Sequence, residues 1–394
     1  MRYTIGQLAE IIDGDRGKNY PKQDEFYPQG YCLFLNTGNV TKEGLIFEEN
    51  QFITKEKDEA LRKGKLKRGD IVYTTRGTVG NAGYYNSNVP YENVRINSGM
   101  VILRANGEIV DARFLYQILK SEYYRPYFKQ YCTGSAQPQL PIKNFSQIYL
   151  NVPDIKTQHR IADILSAYDD LIENNQKQIK LLEEAAQRLY KEWFVDLRFP
   201  GHENTKIVDG VPEGWNEKTL SQVANVIMGQ SPKSEFYNSE KKGLPFHQGV
   251  GSYGVRFVMD DIYSTSYTRI AEPDSILFSV RAPVGRLNIT KNKVVIGRGL
   301  AAINQTDGCQ SYLYYLLKNK FFKDNIVGNG SIFASVSKDE LLNQKFLIPE
   351  RNLMMQFEKI VSQMDKQIEN LDSKNKKLIE ARDRLLPKLM SGGS

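Results

Sequence analysis

The feature that most constrains this chain is that its sequence plan occurs twice. Gly6-Gln-Leu-Ala-Glu-Ile-Ile-Asp-Gly14 returns as Ser221-Gln-Val-Ala-Asn-Val-Ile-Met-Gly229. Asp70-Ile-Val-Tyr-Thr-Thr-Arg76-Gly-Thr-Val-Gly80 returns as Ser275-Ile-Leu-Phe-Ser-Val-Arg281-Ala-Pro-Val-Gly285, and Ile96-Asn-Ser-Gly99 as Ile296-Gly-Arg-Gly299. Gly134-Ser135 matches Gly330-Ser331, and Pro153 matches Pro349. The offset falls from 215 (Gly6 to Ser221) through 205 (Arg76 to Arg281) and 200 (Gly99 to Gly299) to 196 (Gly134 to Gly330), after which it is constant. Variable surface loops on two copies of one fold produce this drift. A period near 200 residues is far too long for a solenoid repeat, so the unit repeated is a whole domain with an appended segment.

Within each copy the first part carries strand signals. Ile71-Val-Tyr-Thr-Thr and Ile276-Leu-Phe-Ser-Val are β-branched and aromatic runs, and Ile148-Tyr-Leu-Asn-Val alternates up to Pro153. Helical spacing marks Ala112–Glu122 and Gln310–Phe322. The class this implies is α+β with a β-rich core in each globular part. After each proline the period becomes seven. Ile161, Tyr168, Asn175, Leu182 and Leu189 interleave with Ile164, Leu171, Gln178 and Ala185. The second copy has Phe357, Met364, Leu371, Leu378 and Leu385 with Ile360, Gln367, Lys374 and Ala381. This predicts two long helices, each ~57 Å if 38 residues are helical at ~1.5 Å per residue. Both are too polar to stand alone, so they should pair, either each with another protein or, as the duplication favours, with one another, with Asn175 setting register against a mostly apolar partner. The helices should end at Phe199-Pro200-Gly201 and at Pro387 or soon after.

Composition narrows the function classes. A hydrophobic content of 40% and 25% charged residues fit a packed soluble protein. A net charge of +7 leans toward a polyanionic partner. Cys32, Cys132 and Cys309 have no paired spacing, and no apolar run approaches the length of a membrane span. A reducing cytoplasm, with no membrane partner and no metal site, is the expectation. The sequence has no Gly-x-x-x-x-Gly-Lys-Ser/Thr phosphate loop and no dinucleotide fingerprint. Asn88-Val-Pro-Tyr91 and Asn151-Val-Pro-Asp154 break the base-holding pattern of amino-methyltransferases, and Asp154-Ile-Lys156 has no acidic companion that would make a nuclease pair. His159, His202 and His247 adjoin no ligand cluster. No catalytic residue is assigned.

What remains fits binding. Arg76 and Arg281 each follow a strand and precede a turn, so their side chains can project from a loop; Thr78 shares the first of these loops. Asn97 and Arg298 lie in the Asn-Ser-Gly and Gly-Arg-Gly segments. Gln137, Gln139 and Lys143 follow Ser135, whereas Ser335 and Lys338 follow Ser331. Arginine reads guanine, glutamine reads adenine, and serine and lysine position phosphate. Residues shared by both copies should support the fold or hold phosphate. The divergent pair Gln137-Pro-Gln139-Leu and Phe333-Ala-Ser335-Val is where two copies with different targets would differ.

Two globular segments alternating with two long helices resemble the specificity subunits of type I restriction–modification systems. The most specific stretches are Pro153-Asp-Ile-Lys-Thr-Gln158-His-Arg-Ile161, Arg188-Leu-Tyr-Lys-Glu-Trp-Phe-Val-Asp-Leu-Arg-Phe-Pro-Gly-His202, Val211-Pro-Glu-Gly-Trp215 and Leu385-Leu-Pro-Lys-Leu-Met-Ser391. Gln158 aligns with Met354 of the second copy, a departure from the pattern. The resemblance implies a target recognition domain over residues 1–153, a helical spacer over 154–199, a second recognition domain over 200–349 and a second spacer over 350–394. It implies double-stranded DNA as ligand, read as two half-sites by a chain with an internal pseudo-twofold repeat. It implies that the two helices pack as an antiparallel coiled coil and dock two modification subunits, and that ATP-dependent restriction subunits join the assembly. Gln158 is assigned to partner docking, and Trp193 and Phe194, with Phe199 nearby, are either helix-end core or, if exposed, an anchor for a modification subunit. S-adenosylmethionine, ATP and Mg would sit on those partners, with no cofactor here. The other class that the residues allow is a coiled-coil scaffold that reads no sequence.

Overall fold

The repeated Gln-Leu/Val-Ala motif folds identically in both copies. The Gln7 side chain accepts a hydrogen bond from the Thr4 backbone N–H at 2.8 Å, and Gln222 does the same for Thr219 at 2.8 Å. Each glutamine thereby satisfies a donor that the start of a one-turn helix leaves open. Leu8 and Ala9, and equally Val223 and Ala224, then turn into the core. The computed structural model describes residues 1–134, 137–321 and 335–390. It is a mixed α+β chain in two compact units, Met1–Gln176 with Ser373–Ser394, and Lys177–Asp372. The principal helices are α1 (Ala112–Lys120), α2 (Ile155–Phe194), α3 (Gln310–Phe321) and α4 (Arg351–Met390). The unit boundaries fall inside α2 and α4, so each unit consists of one globular segment and part of both long helices.

The first unit is built on β1 (Ala9–Asp13), β2 (Ile71–Thr74), β3 (Ala82–Tyr84) and β4 (Met100–Ala105), in the order β1-β4-β2-β3 with every pairing antiparallel. The second unit repeats the plan with β5 (Ala224–Met228), β6 (Ile276–Ser279), β7 (Leu287–Ile289) and β8 (Leu300–Gln305), in the order β5-β8-β6-β7. A second sheet accompanies each, three-stranded in the first unit and five-stranded in the second, and holds a parallel pair: Cys32–Leu35 with Val94–Ile96, and Leu244–His247 with Val294–Ile296. One face of each four-stranded sheet buries Ile71, Tyr73, Val101 and Leu103, or Ile276, Phe278, Ala301 and Ile303, against α1 or α3. The same two cores take in the long helices. Ile161, Ala162, Leu165 and Leu386 join the first, and Ala186, Tyr190, Trp193, Phe357 and Val361 join the second.

The inward face of both long helices lies one residue away from the interleaved positions read from the sequence. Leu171, Gln178 and Ala185 are exposed, as are Ile360, Gln367 and Lys374. The buried positions are Leu165, Ile172, Ile179 and Ala186 on α2, and Val361, Ile368 and Asn375 on α4. Spacings of three and four both satisfy a heptad, and the amino-acid types alone did not choose between the two faces. Asn175 also meets a polar partner where an apolar one was expected. Its Nδ2 donates to Oδ1 of Asn375 at 2.7 Å, and Asn375 is largely buried. α2 ends at Phe194, five residues before the expected stop, with Leu197 at φ 58° just beyond. α4 continues through Pro387 to Met390.

Each unit pins its globular segment to the helices with a buried charge cluster. In the first, the Asp169 carboxylate on α2 accepts from Lys120 Nζ (3.1 Å) and Gln117 Nε2 (2.6 Å) of α1, and from Arg382 Nη1 (2.7 Å) of α4. Burial works to raise the Asp169 pKa, but Lys120 and Arg382 outweigh it and hold the carboxyl below its usual range. In the second unit the repeat equivalent, Asp365, meets a different cation. Arg256 comes from the hairpin closed by Tyr253 and Val258, which follows the strand Leu244–His247, and is 2% exposed. Its guanidinium sits 3.8 Å above the Tyr314 ring and bonds Asp365, Glu183 (3.4 Å) and the Tyr315 hydroxyl (3.2 Å). Burial disfavours its charge, but the two tyrosines and two carboxylates keep its pKa raised. Removing one member of a buried ion cluster strands the others without water. Arg256→Ala is therefore expected to destabilise the second unit by about 3–5 kcal/mol in urea unfolding, and Arg256→Lys, which cannot bridge both carboxylates, by a smaller amount.

Candidate nucleic-acid interface

Arg76 and Arg281 stand on loops that the two copies brace atom for atom. Thr74 Oγ1 donates to Thr78 O and accepts from Asn81 N (2.9 Å), and Gly80 N donates to Thr74 O (3.0 Å). In the second copy Ser279 Oγ donates to Pro283 O (2.6 Å) and accepts from Arg286 N (2.8 Å), and Gly285 N donates to Ser279 O (2.9 Å). Gly80 at φ 100° and Gly285 at φ 86° occupy the left-handed region, which explains the glycine four residues after each arginine. A hydroxyl at the strand end thus holds a rigid loop whose arginine is left exposed at its tip.

These loops join the other candidate residues at one end of each four-stranded sheet. The Gly99 carbonyl accepts from the N–H groups of Thr75 and Arg76, and the Thr75 carbonyl accepts from Leu140 N (2.9 Å). This sets Arg76 opposite Gln139 as an antiparallel bridge. In the second unit Gly299 O accepts from Val280 N (2.9 Å) and Val280 O from Val336 N (2.8 Å), setting Arg281 opposite Ser335. The shared arginine therefore faces the divergent segment in both units. Thr78, Gln137, Gln139, Lys143, Ser335 and Lys338 are exposed here. Gln139 is clipped to Thr133 by two backbone hydrogen bonds of 2.7 and 2.8 Å. Asn97 is half-buried and caps its own turn, its Oδ1 accepting from Gly99 N (2.9 Å). Arg298 is exposed beside Gly299. Ser135 and Ser331 lie outside the described residues.

A close backbone approach fixes this end of each sheet. A Cβ on Gly14 would sit 2.3 Å from Asn97 O, and one on Gly229 2.1 Å from Gly297 O. The glycines closing the first repeated motif are thus required for chain crossing, not for ligand contact. Sequence reasoning missed Gln248, Ser231 and Lys233, which line a cleft of about 580 Å³ with Arg298. Their signal was faint, because the first copy has Asn36 and Arg16 in place of Gln248 and Ser231 and only Lys18 matches Lys233.

The residues assigned to partner docking are spent inside the fold. Gln158 is 1% exposed, donating to Ile109 O (3.0 Å) and Pro153 O (2.9 Å) and accepting from Asp111 N (3.0 Å). Trp193 and Phe199 are buried, and Phe194 packs its ring 5.2 Å from Phe357 and 5.0 Å from Tyr312. These aromatics are the hydrophobic core of the second unit, so an anchor that needs them exposed is not available. Of the histidines, His247 is fully buried between Ser252 (2.8 Å) and Asp260 (3.1 Å). Among the described residues no group of three or more His, Cys, Asp or Glu could hold a metal, and no helix is long and apolar enough to cross a membrane.

Residues 1–184 and 212–381 each match the type I restriction modification DNA specificity domain. The chain belongs to that family. The type I restriction enzyme HindI specificity subunit of Haemophilus influenzae is 26% identical, over 98% of this chain and 100% of the relative. The MjaVIII specificity subunit of Methanocaldococcus jannaschii is 26% identical over 99% and 92%. The crystal structure of the type I restriction–modification S subunit from M. genitalium superposes with a TM-score of 0.57 at 19% identity, covering 99% of this chain and 95% of that one. The family's specificity domain thus occurs twice here, once over each copy of the braced arginine loop.

Two contrasting outcomes follow from the geometry. Gly14→Ala and Gly229→Ala should each cost about 1–3 kcal/mol in thermal unfolding, because backbone atoms must move to admit the methyl group. Arg76→Ala and Arg281→Ala should leave stability within roughly 0.5 kcal/mol, as expected for exposed loop tips.

Proposed function

We propose that the chain is the non-catalytic recognition subunit of a type I restriction–modification complex, each globular unit reading one half of a split DNA target. The observation that carries this is the shared, exposed arginine held opposite a segment that differs between the copies, Gln139 in one and Ser335 in the other. A common cation suits the phosphate backbone, which all DNA has in common, and a variable neighbour suits base edges, which it does not. Residues 1–153 and 200–349 are then the two recognition domains, with 154–199 and 350–394 as helical spacers. In this reading the spacers pair antiparallel and relate the two copies by a pseudo-twofold. Half-sites about one turn (~34 Å) apart are within the span of a 40-residue helix, ~60 Å long.

Modification subunits that bind S-adenosylmethionine, and restriction subunits that use ATP and Mg, would supply the chemistry. Their docking surface must lie elsewhere than Gln158 and the Trp193–Phe199 aromatics. The exposed helix positions Leu171 and Leu181 on α2 and Met355 and Ile360 on α4 are open to that role. A coiled-coil scaffold that reads no sequence draws no support from a DNA specificity match on both copies.

Mapping of methylated adenines in cells carrying the complete system, before and after residues 1–150 are exchanged for a homologue's, tests the reading. One half of the methylated motif should change and the other persist; a joint change of both halves would refute the division of labour. Arg76→Ala and Arg281→Ala should each weaken DNA binding by the assembled complex and reduce its salt dependence by about one unit of log–log slope, with little change in sequence preference. The helix seam gives a further outcome. Asn375→Leu removes the hydrogen-bond partner of Asn175, and a seam freed to slip should methylate motifs of more than one spacer length.

A further inference from the structure

Gln248 occupies the corner of the second unit where three chain segments meet. It follows the strand Leu244–His247, whose last residue is held by Gly297 N donating to His247 O (2.8 Å); Gly299 N then donates to Gln248 O (3.2 Å). The buried His247, gripped by Ser252 and Asp260, fixes the backbone immediately before it. The Gln248 side chain is exposed, yet it is not free to turn. Ser231 Oγ donates to its Oε1 at 2.8 Å, and the same Oγ accepts from Arg298 N at 3.1 Å. A Cβ at Gly297 would stand 2.7 Å from that Oε1 and 3.0 Å from Ser231 Oγ, so the glycine makes room for this arrangement. The amide is thus preset. One lone pair of Oε1 is taken, the other is open, and Nε2 has no partner among the described residues.

A fixed acceptor beside a fixed donor matches the major-groove edge of adenine, whose N6–H donates and whose N7 accepts. Lys233 and Arg298 line the same cleft and supply positive charge toward flanking phosphates. The first copy uses the corresponding position differently. There Asn97 N donates to Leu35 O, so Asn36 stands where Gln248 does, and its Oδ1 is consumed by Gly38 N at 2.8 Å. Arg16 stands where Ser231 does and bonds Asp13 and Ser98 O, each at 3.2 Å. Holding an exposed glutamine in one orientation carries an entropic cost that neither the fold nor the first copy requires. It is useful where a base edge must be met without reorganisation.

We propose that Gln248, oriented by Ser231, is a specificity-determining residue that reads one adenine in the half-site bound by the second unit. This rests on the recognition function above, and the experiment separates the two. Methylated motifs are mapped in cells carrying the complete system with the wild-type chain, with Gln248→Ala, Gln248→Glu and Ser231→Ala, and with residues 200–349 exchanged for a homologue's. The exchange identifies which half-site the second unit reads; if it alters neither half, the recognition function itself falls. Given that half-site, Gln248→Ala and Gln248→Glu should remove the preference for adenine at one position and leave the other half intact. Ser231→Ala should relax the same position to a smaller degree. A wild-type half-site with no fixed adenine overturns the proposal, as does an unchanged motif in both Gln248 variants. Should a variant abolish methylation, the purified complex is titrated with duplexes carrying adenine or guanine at each adenine position of that half-site. The wild type should discriminate roughly 5- to 150-fold at one of them and the variant should not. Equal discrimination by both overturns the assignment.

Discussion

The structure depends on two carboxylates, Asp169 and Asp365, half-buried at equivalent positions in the two copies. Each lies where a globular segment meets the long helices, and each needs a partner because a charge partly removed from water is costly without one. The copies satisfy that demand differently. Asp169 draws Lys120 from the helix beside the sheet and Arg382 from the second spacer. Asp365 draws Arg256 from a segment of the globular part, with Glu183 completing the cluster. Hydrophobic contact alone would let a globular segment slide along an apolar seam. A hydrogen-bonded ion cluster specifies one seating of the globular segment on the helices.

Much of this was legible in the sequence because the repeat separates two kinds of constraint. The stretches on which the copies agree hold the glutamine caps, the Thr74 and Ser279 braces and the glycines that let chains cross, although what these residues do needed the fold. All of these are backbone devices that tolerate few substitutes. Helical spacing located α1 and α3 to within two residues at each end. The arginine loops and the divergent segment were visible separately, but their pairing, Arg76 with Gln139 and Arg281 with Ser335, needed the fold.

What stayed hidden was hidden for physical reasons. A seven-residue period gives two faces one residue apart, and polar positions such as Asn375 and Arg382 mask the true one. Trp193, Phe194 and Phe199 look the same in sequence whether they fill a core or face a partner, and here they fill a core. Arg256 lies on a hairpin closed by Tyr253 and Val258 whose counterpart, closed by Val40 and Leu45, carries no arginine, so agreement between copies could not flag it. Gln248 escaped notice for the converse reason: its counterpart Asn36 is a different residue doing a local job.

The cut through both long helices has a consequence for synthesis. The first unit contains residues 373–390, so on the ribosome its hydrophobic core lacks Leu386 until the whole of the second unit has been made. The second unit, residues 177–372, has all its parts earlier. Domains close as their sequence becomes available. The order of completion is therefore the reverse of the order of encoding. During translation the globular part of the first unit waits with an apolar strip uncovered along Ile161 and Leu165 until Leu386 on α4 arrives.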